Sequence, residues 1–264
     1  MTVPIDFTQS AQYNLSIRLS TDGFSFSVFN PQDNRKCFYS FYPVNARHSM
    51  AANLKQFLAE AEEIKHRYKQ VNILVHTERY TSVPLEWYED ELTDTLFYQN
   101  LPRRNNEVIL CNVLGKSNVV ILFALDKLSH LFLTEHFPDA RFFATISPLT
   151  EYFCQQSKGS ERRRLLVHLQ PETVDVIAFG KDCLQLVNTY SVSSTEDCCY
   201  YLLGIWKQLG YDQEHDELHV CGEPAAERTE VLECLKKYVR HVIIINPRME
   251  NNIPFDMQSL ILCE

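Results

Sequence analysis

Two short polar breaks, 150 positions apart, carry the side chains whose types and spacing could do chemistry. The first reads Arg18-Leu19-Ser20-Thr21-Asp22-Gly23, the second His168-Leu169-Gln170-Pro171-Glu172-Thr173. Asp22-Gly23 has the look of a loop that cradles phosphate with backbone N–H groups. The same dipeptide is the standard signal of a tight hairpin turn with positive φ, and the turn is the expectation adopted. Arg18 and His168 could offer positive charge to a small anion, but both are expected to alternate outward from their strands. His215, His219 and Cys221 are types that ligate metals. His219 and Cys221 fall two apart on a predicted strand, though, and no second Cys/His pair stands at zinc-finger spacing, so no metal site is expected.

Composition narrows the field further. The net charge is -9, which gives no global drive toward nucleic acid or anionic lipid, and Arg162-Arg163-Arg164 is the only basic run. That run reads as a solvated edge before a buried strand. The nine cysteines lack Cys-x-x-Cys spacing. With Cys37, Cys111, Cys183 and Cys221 in predicted strands, they read as buried small hydrophobes in a reduced, cytoplasmic setting. The longest apolar run, Val119 to Leu125, is far short of the ~20 residues that span a bilayer, and no leader is apparent, so direct membrane insertion is not expected.

The breaks sit inside two copies of one pattern. Leu15, Ile17 and Leu19, then Phe24, Phe26 and Val28, alternate with other residues across the first; Leu165, Val167 and Leu169, then Val174, Val176 and Ala178, do so across the second. Alternation on both sides of a polar break is a strand, a turn and a strand. A third strand follows each hairpin, near 36–42 and 184–192. Next come an amphipathic helix (46–69 and 195–209, the latter capped by Ser194), a buried strand (71–76 and 217–221), a helix opened by proline (Pro84 and Pro224), and a last strand and helix. Each half therefore reads strand, strand, strand, helix, strand, helix, strand, helix, with 1–158 and 159–264 as two α/β lobes. The first half carries an extra β-hairpin and helix at about 106–137.

That doubled order resembles the actin-like ATPase superfamily, whose lobes are each a ribonuclease-H-like sheet flanked by helices. The insertion is most similar to the bacterial branch holding the cell-division protein FtsA and the type IV pilus assembly protein PilM. An uncharacterised bacterial family within that superfamily is implied. In active members the two hairpin turns grip the nucleotide phosphates through a pattern like Asp-x-Gly-[Thr/Ser]. Carried onto this chain, the Asp position falls on Arg18 and His168 and the Gly position on Ser20 and Gln170. Thr21 fits the next position, whereas Pro171 has no N–H to donate. Glu172, next to Thr173, would set a carboxylate close to where phosphates sit. The adenosine-binding Gly-Gly is reduced to Cys221-Gly222-Glu223.

The resemblance thus implies the architecture without its Mg-ATP ligands. The expectation is a non-catalytic scaffold or regulatory subunit with no cofactor, bound to an unidentified protein of the kind its relatives serve in envelope and division assemblies. Two other readings are weighed against it. One is a nucleotide-dependent ATPase or small-molecule kinase using Thr21, Asp22 and Glu172. The other is a regulatory anion held between the turns by Arg18 and His168.

Overall fold

Both hairpins close in the register that their alternation requires. In the computed structural model, which describes residues 5–32, 37–181, 183–222, 225–245 and 253–263, β1 (Asn14–Leu19) runs antiparallel to β2 (Gly23–Phe29), with Ile17 opposite Phe26. β3 (Cys37–Pro43) pairs with β2, while β4 (Gln70–Val75) and β8 (Arg141–Ala144) add in parallel on the other side, giving the order β3-β2-β1-β4-β8. The second half repeats this arrangement. β9 (Arg164–Leu169), β10 (Thr173–Phe179), β11 (Leu184–Ser191), β12 (Glu217–Gly222) and β13 (His241–Ile244) form a sheet in the order β11-β10-β9-β12-β13. The two orders are the same once each strand is matched to its counterpart.

Helices bury the apolar faces of these sheets. α1 (Met50–Glu60) starts at Ser49, whose hydroxyl accepts from the Ala52 N–H. It sets Phe57 against Phe24 and Tyr42, with ring centroids 5.7 and 5.2 Å apart. This helix is shorter than the predicted 46–69; the chain leaves it at Ala61 and makes one further 3₁₀ turn at Glu63–Lys65. α5 (Thr195–Gln208) is capped by Ser194 as expected and, with α6 (Ala225–Leu235), covers Leu165, Val167, Val174, Val176, Leu218 and Val220. Fully burying an aliphatic or aromatic side chain is worth about 1.5–3 kcal/mol, so this layer is the main support of each sheet. Pro224, read as the opener of α6, lies outside the described residues.

Every described residue of β1, β2 and β10 is buried, on both faces. Alternation had suggested that alternate side chains reach solvent. Strands in the middle of a mixed sheet are covered on both faces instead, as is usual where parallel strands are present. Against the second sheet, α4 (Ile146–Ser157) puts Phe153 against Phe179 at 5.7 Å, and α7 (Phe255–Cys263) puts Phe255 by His168 at 6.4 Å.

Between β4 and α3 (Lys127–His136) the first half carries a three-stranded sheet. β5 (Tyr80–Pro84), β6 (Glu107–Leu114) and β7 (Val119–Asp126) order as β5-β7-β6, with α2 (Thr93–Asn100) packed on them around Val83, Phe97, Val120 and Leu122. The expected hairpin is therefore present, but the insertion takes in Tyr80–Asn100 as well. Pro84 does not open a helix; it is the last residue of β5, an edge strand, where a missing N–H is equally well tolerated. The helix expected to belong to the insertion, α3, packs on α1 just as α6 packs on α5, so it is the repeat's own second helix.

By contact the chain divides into two compact units, one of Met1–Leu114, Val119–Ser147 and Met249–Ile253, the other of Gly115–Asn118, Pro148–Arg248 and Pro254–Glu264. Counted by repeat, α4 closes the first half; counted by contact, most of it belongs with the second unit.

Within the first unit one side chain ties the inserted sheet to the lobe. Asn112 on β6 is buried; its Nδ2 donates to the Phe142 carbonyl at 2.8 Å, and its Oδ1 accepts from the Ala144 N–H at 3.0 Å and from Ser147 Oγ at 2.8 Å. The amide thus substitutes for a neighbouring strand along the edge of β8. Asn112→Ala would orphan those buried partners and should lower unfolding free energy by about 2–4 kcal/mol in urea denaturation. A loss below ~0.5 kcal/mol would mean the anchor contributes little.

Candidate functional site: the two hairpin turns

The two turns share a backbone. In the first, the Ser20 N–H donates to the Gly23 carbonyl at 3.1 Å; in the second, the Gln170 N–H donates to the Thr173 carbonyl at 3.0 Å. These are the N–H groups at the position where the resemblance places a phosphate-facing glycine, and both are spent inside the turn. Ser20 and Gln170 are buried, while Thr21, Asp22, Pro171 and Glu172 are exposed.

Gly23 does not have the positive φ expected of an Asp-Gly turn. Its glycine is needed for space: a Cβ there would stand 2.3 Å from the Phe41 ring and 2.9 Å from the Tyr42 carbonyl oxygen. Gly222 is the opposite case, with φ +92°, and a Cβ there would meet Leu169 O at 2.1 Å and Leu169 N at 2.8 Å. It ends β12 opposite Leu169, so Gly222 is fixed there by backbone approach. Glu223 lies outside the described residues.

Arg18 and His168 do not alternate outward. Arg18 is 7% exposed, and its guanidinium comes within 3.7 Å of the Asp22 carboxylate, which is 45% exposed. His168 is 3% exposed, and its Nδ1 lies 2.9 Å from Asp175 Oδ2. Asp175 faces His168 across the hairpin and also accepts from Gln170 Nε2 at 2.9 Å and Thr189 Oγ1 at 2.6 Å. A carboxylate accepts only, so the His168 Nδ1 carries the proton in this arrangement. A buried charge is tolerated only when paired and hydrogen-bonded, and Asp175 has three donors. Asp175 and Thr189 were not among the sequence candidates. An acid inside Thr-Val-Asp-Val-Ile-Ala-Phe looks like the polar phase of an alternating strand. Only the burial of both faces makes it internal.

Beside the second turn lies a cavity of about 170 Å³, bounded by Gln170, Pro171 and the start of α5. The first turn of that helix carries Glu196 and Asp197, whose charge already complements the positive end of its dipole.

The remaining candidates separate. His215 pairs with Asp212 at the surface, His219 Nε2 lies 3.1 Å from Glu217 Oε2, and the Cys221 thiol points at the Val167 carbonyl. The eight cysteines whose side chains are described, all but Cys263, are free. Burial pushes the thiols of Cys37 and Cys198 up to about 12, the environment of inert thiols, whereas Cys111 and Cys183 are exposed, against expectation. The arginine run is not simply a solvated edge either. Arg163 reaches Asp216 through Nε at 3.0 Å and Nη2 at 2.7 Å. Glu217 takes Arg162 at 3.3 Å, and Arg164 Nε lies 2.9 Å away without the alignment of a hydrogen bond. Two acids thus neutralise much of the basic run, which leaves little for a nucleic acid to use.

The family described as "Protein of unknown function (DUF3822)" matches residues 3–242. The chain belongs to this family. A structure from Bacteroides thetaiotaomicron, described as a protein with actin-like ATPase fold and unknown function, is 41% identical, with 98% of this chain and 99% of that one covered at a TM-score of 0.90. The fold alone is shared with the PilM-PilN type IV pilus biogenesis complex (12% identity, 89% and 88% covered, TM-score 0.58). The same holds for the ethanolamine utilization protein EutJ from Carboxydothermus hydrogenoformans (8% identity, 88% and 84% covered, TM-score 0.50). No curated protein matches. The fold is thus that of the actin-like ATPases, with two ribonuclease-H-like lobes. Among the described residues no helix is long and apolar enough to cross a membrane.

Burial holds His219 below its ordinary value of 6.5, against the pull of Glu217. Burial pushes Glu217 up, but the His219 hydrogen bond and the charges of Arg164 and Arg162 outweigh it and hold the carboxyl below its ordinary 4.5. Both folded values are depressed, so both groups contribute stability above the ordinary value that is lost as pH falls through the folded one. The DUF3822 chain should therefore lose urea resistance first below pH 6.5 and again below pH 4.5. His219→Gln should flatten the first fall relative to wild type; an unchanged slope between pH 6.5 and 5 would contradict the assignment.

Proposed function

We propose that this DUF3822 protein is a non-catalytic actin-like-fold protein, a pseudo-ATPase that works by binding another protein. One observation carries the reading: both positions where the resemblance places a metal-handling acid hold bases built into the fold, and His168 is locked to the buried carboxylate of Asp175. Metal-bound phosphate needs an acid to order the cation and free N–H groups to meet the oxygens. Here the acids are missing, the Ser20 and Gln170 N–H groups are consumed, and Pro171 offers none. Glu172 adds a like charge beside any phosphate, at a cost of several kcal/mol within a few ångströms at an effective dielectric near 20.

A fold kept without its ligands retains its use as a surface. The pilus-biogenesis neighbour, PilM, is seen in complex with PilN, and that precedent supports a protein partner for this chain, of the kind found in envelope or division assemblies. The site residues of this reading are those of the two turns, Arg18, Ser20–Gly23, His168, Gln170, Glu172 and Thr173, with Gly222 beside them, acting as support and not as ligands.

Thermal unfolding with Mg-ATP tests it. A true one-site ligand at 100 times its dissociation constant adds about 2.7 kcal/mol, and for a chain of this size each kcal/mol moves the melting temperature by about 2–4 °C. Saturating millimolar Mg-ATP should leave the midpoint within ~1 °C. A saturable rise of several degrees that Thr21→Ala and Asp22→Ala abolish would make this a nucleotide-binding protein.

A further inference from the structure

The second unit holds a cavity at the end of its sheet opposite the Gln170–Glu172 turn. It has a volume of about 280 Å³ and lies among the hairpin tip Lys116–Asn118, the end of α4 and the chain leading into β11, with Phe179 and Leu184 on its apolar side. Lys116, Lys158 and Lys181 all line it, and no acid does among the described residues. In a chain of net charge -9, three lysines around one cavity run against the overall balance. Among the described residues neither Lys116 nor Lys158 has a carboxylate partner. Among the described residues Lys181 meets only Glu161, at 3.9 Å, with both side chains largely in solvent, a contact worth little.

Ser157 also lines this cavity. It is 6% exposed, and its Oγ has no hydrogen-bond partner. An unpaired buried hydroxyl is a standing cost, and it stops being one when an acceptor arrives. The surrounding frame is fixed in advance. Glu151 accepts from the Ser117 N–H at 3.2 Å and from its Oγ at 3.1 Å, and the Cys154 thiol donates to the Lys116 carbonyl at 3.2 Å, so the tip that carries Lys116 is tied to α4. Gly159, with φ +73°, turns the chain directly after Lys158. The negative end of the α4 dipole accounts for a cation at Lys158. It does not account for Lys116, Lys181 or the unpaired hydroxyl.

We propose that this cavity binds a small phosphorylated metabolite, with the phosphate held by Lys116, Lys158, Lys181 and the Ser157 hydroxyl and the carbon body against Phe179 and Leu184. A phosphate is the group that uses all of these at once, since it carries nearly two charges and several strong acceptor oxygens, and lysine meets it as a point charge. The site is separate from the two turns and stands whether or not the chain binds nucleotide or a partner protein.

The test uses the full chain titrated with inorganic phosphate and with glycerol phosphate, against sodium chloride of matched ionic strength, read by calorimetry and thermal unfolding. Glycerol phosphate should bind saturably and more tightly than inorganic phosphate. Lys116→Ala with Lys158→Ala should weaken it at least ~tenfold, which is about 1.4 kcal/mol. Should that double variant fail to fold, Lys158→Gln alone decides by the same loss. Ser157→Ala should weaken binding while leaving the melting temperature of the free protein unchanged or higher, because it removes an unpaired hydroxyl. Binding no stronger than the chloride control, equal affinity for inorganic phosphate, or affinity unaltered in the lysine variants would overturn the proposal. So would a lowered melting temperature of free Ser157→Ala, since the hydroxyl would then have a structural partner.

Discussion

A carboxylate buried in the middle of a sheet has to be paired, and in this molecule Asp175 sets that condition. It is 1% exposed, and it accepts from His168 on the strand before the turn, Gln170 in the turn itself and Thr189 on the strand beyond. Removing one partner of a buried charge costs about 3–5 kcal/mol, far more than a surface pair. His168 and Gln170 are therefore not free to serve a ligand without unpairing Asp175. The counterpart hairpin solves the same position differently. Ser25 stands where Asp175 does, Arg18 stands where His168 does, and the arginine draws on Asp22 at the turn.

The architecture can therefore stand on contacts that do not involve the turns. The helices and sheets of each unit rest on apolar faces that never touch a nucleotide, such as the cluster around Val176, Leu202 and Trp206. The turns need only to close, and both do so with one internal hydrogen bond. Gly222 shows the same separation of roles: a Cβ there would run into the backbone of Leu169, so the fold itself requires the glycine.

The repeat was legible because alternation fixes which residues of a hairpin share a face, and Leu15 to Val28 and Leu165 to Ala178 keep that alternation unbroken. Helix α5 was legible from Ser194 and Gly210, which mark its ends by hydrogen bonding and by positive φ. The start of the insertion was not, because Pro84 fits the end of an edge strand as well as the start of a helix. The identity of α3 was hidden for a related reason: periodicity shows an amphipathic helix but not which partner it packs on. At the site, the residue types at the two turns could be read directly from the sequence. The pairing of His168 could not, because its partner on the next strand matters only once helices cover the outer face and make Asp175 internal. Gly23 was misread because Asp-Gly reports a turn preference, while the space it needs is set by Phe41 and Tyr42 on the neighbouring strand.

The claim that the turn residues now serve the fold is tested most directly by a double-mutant cycle on His168→Ala and Asp175→Ala, followed by urea denaturation. The account predicts a coupling energy of at least ~2 kcal/mol, each single substitution being far more damaging than expected from the pair removed together. A coupling below ~0.5 kcal/mol, with both single variants close to wild type, would show that His168 is held for something other than stability and would contradict the account.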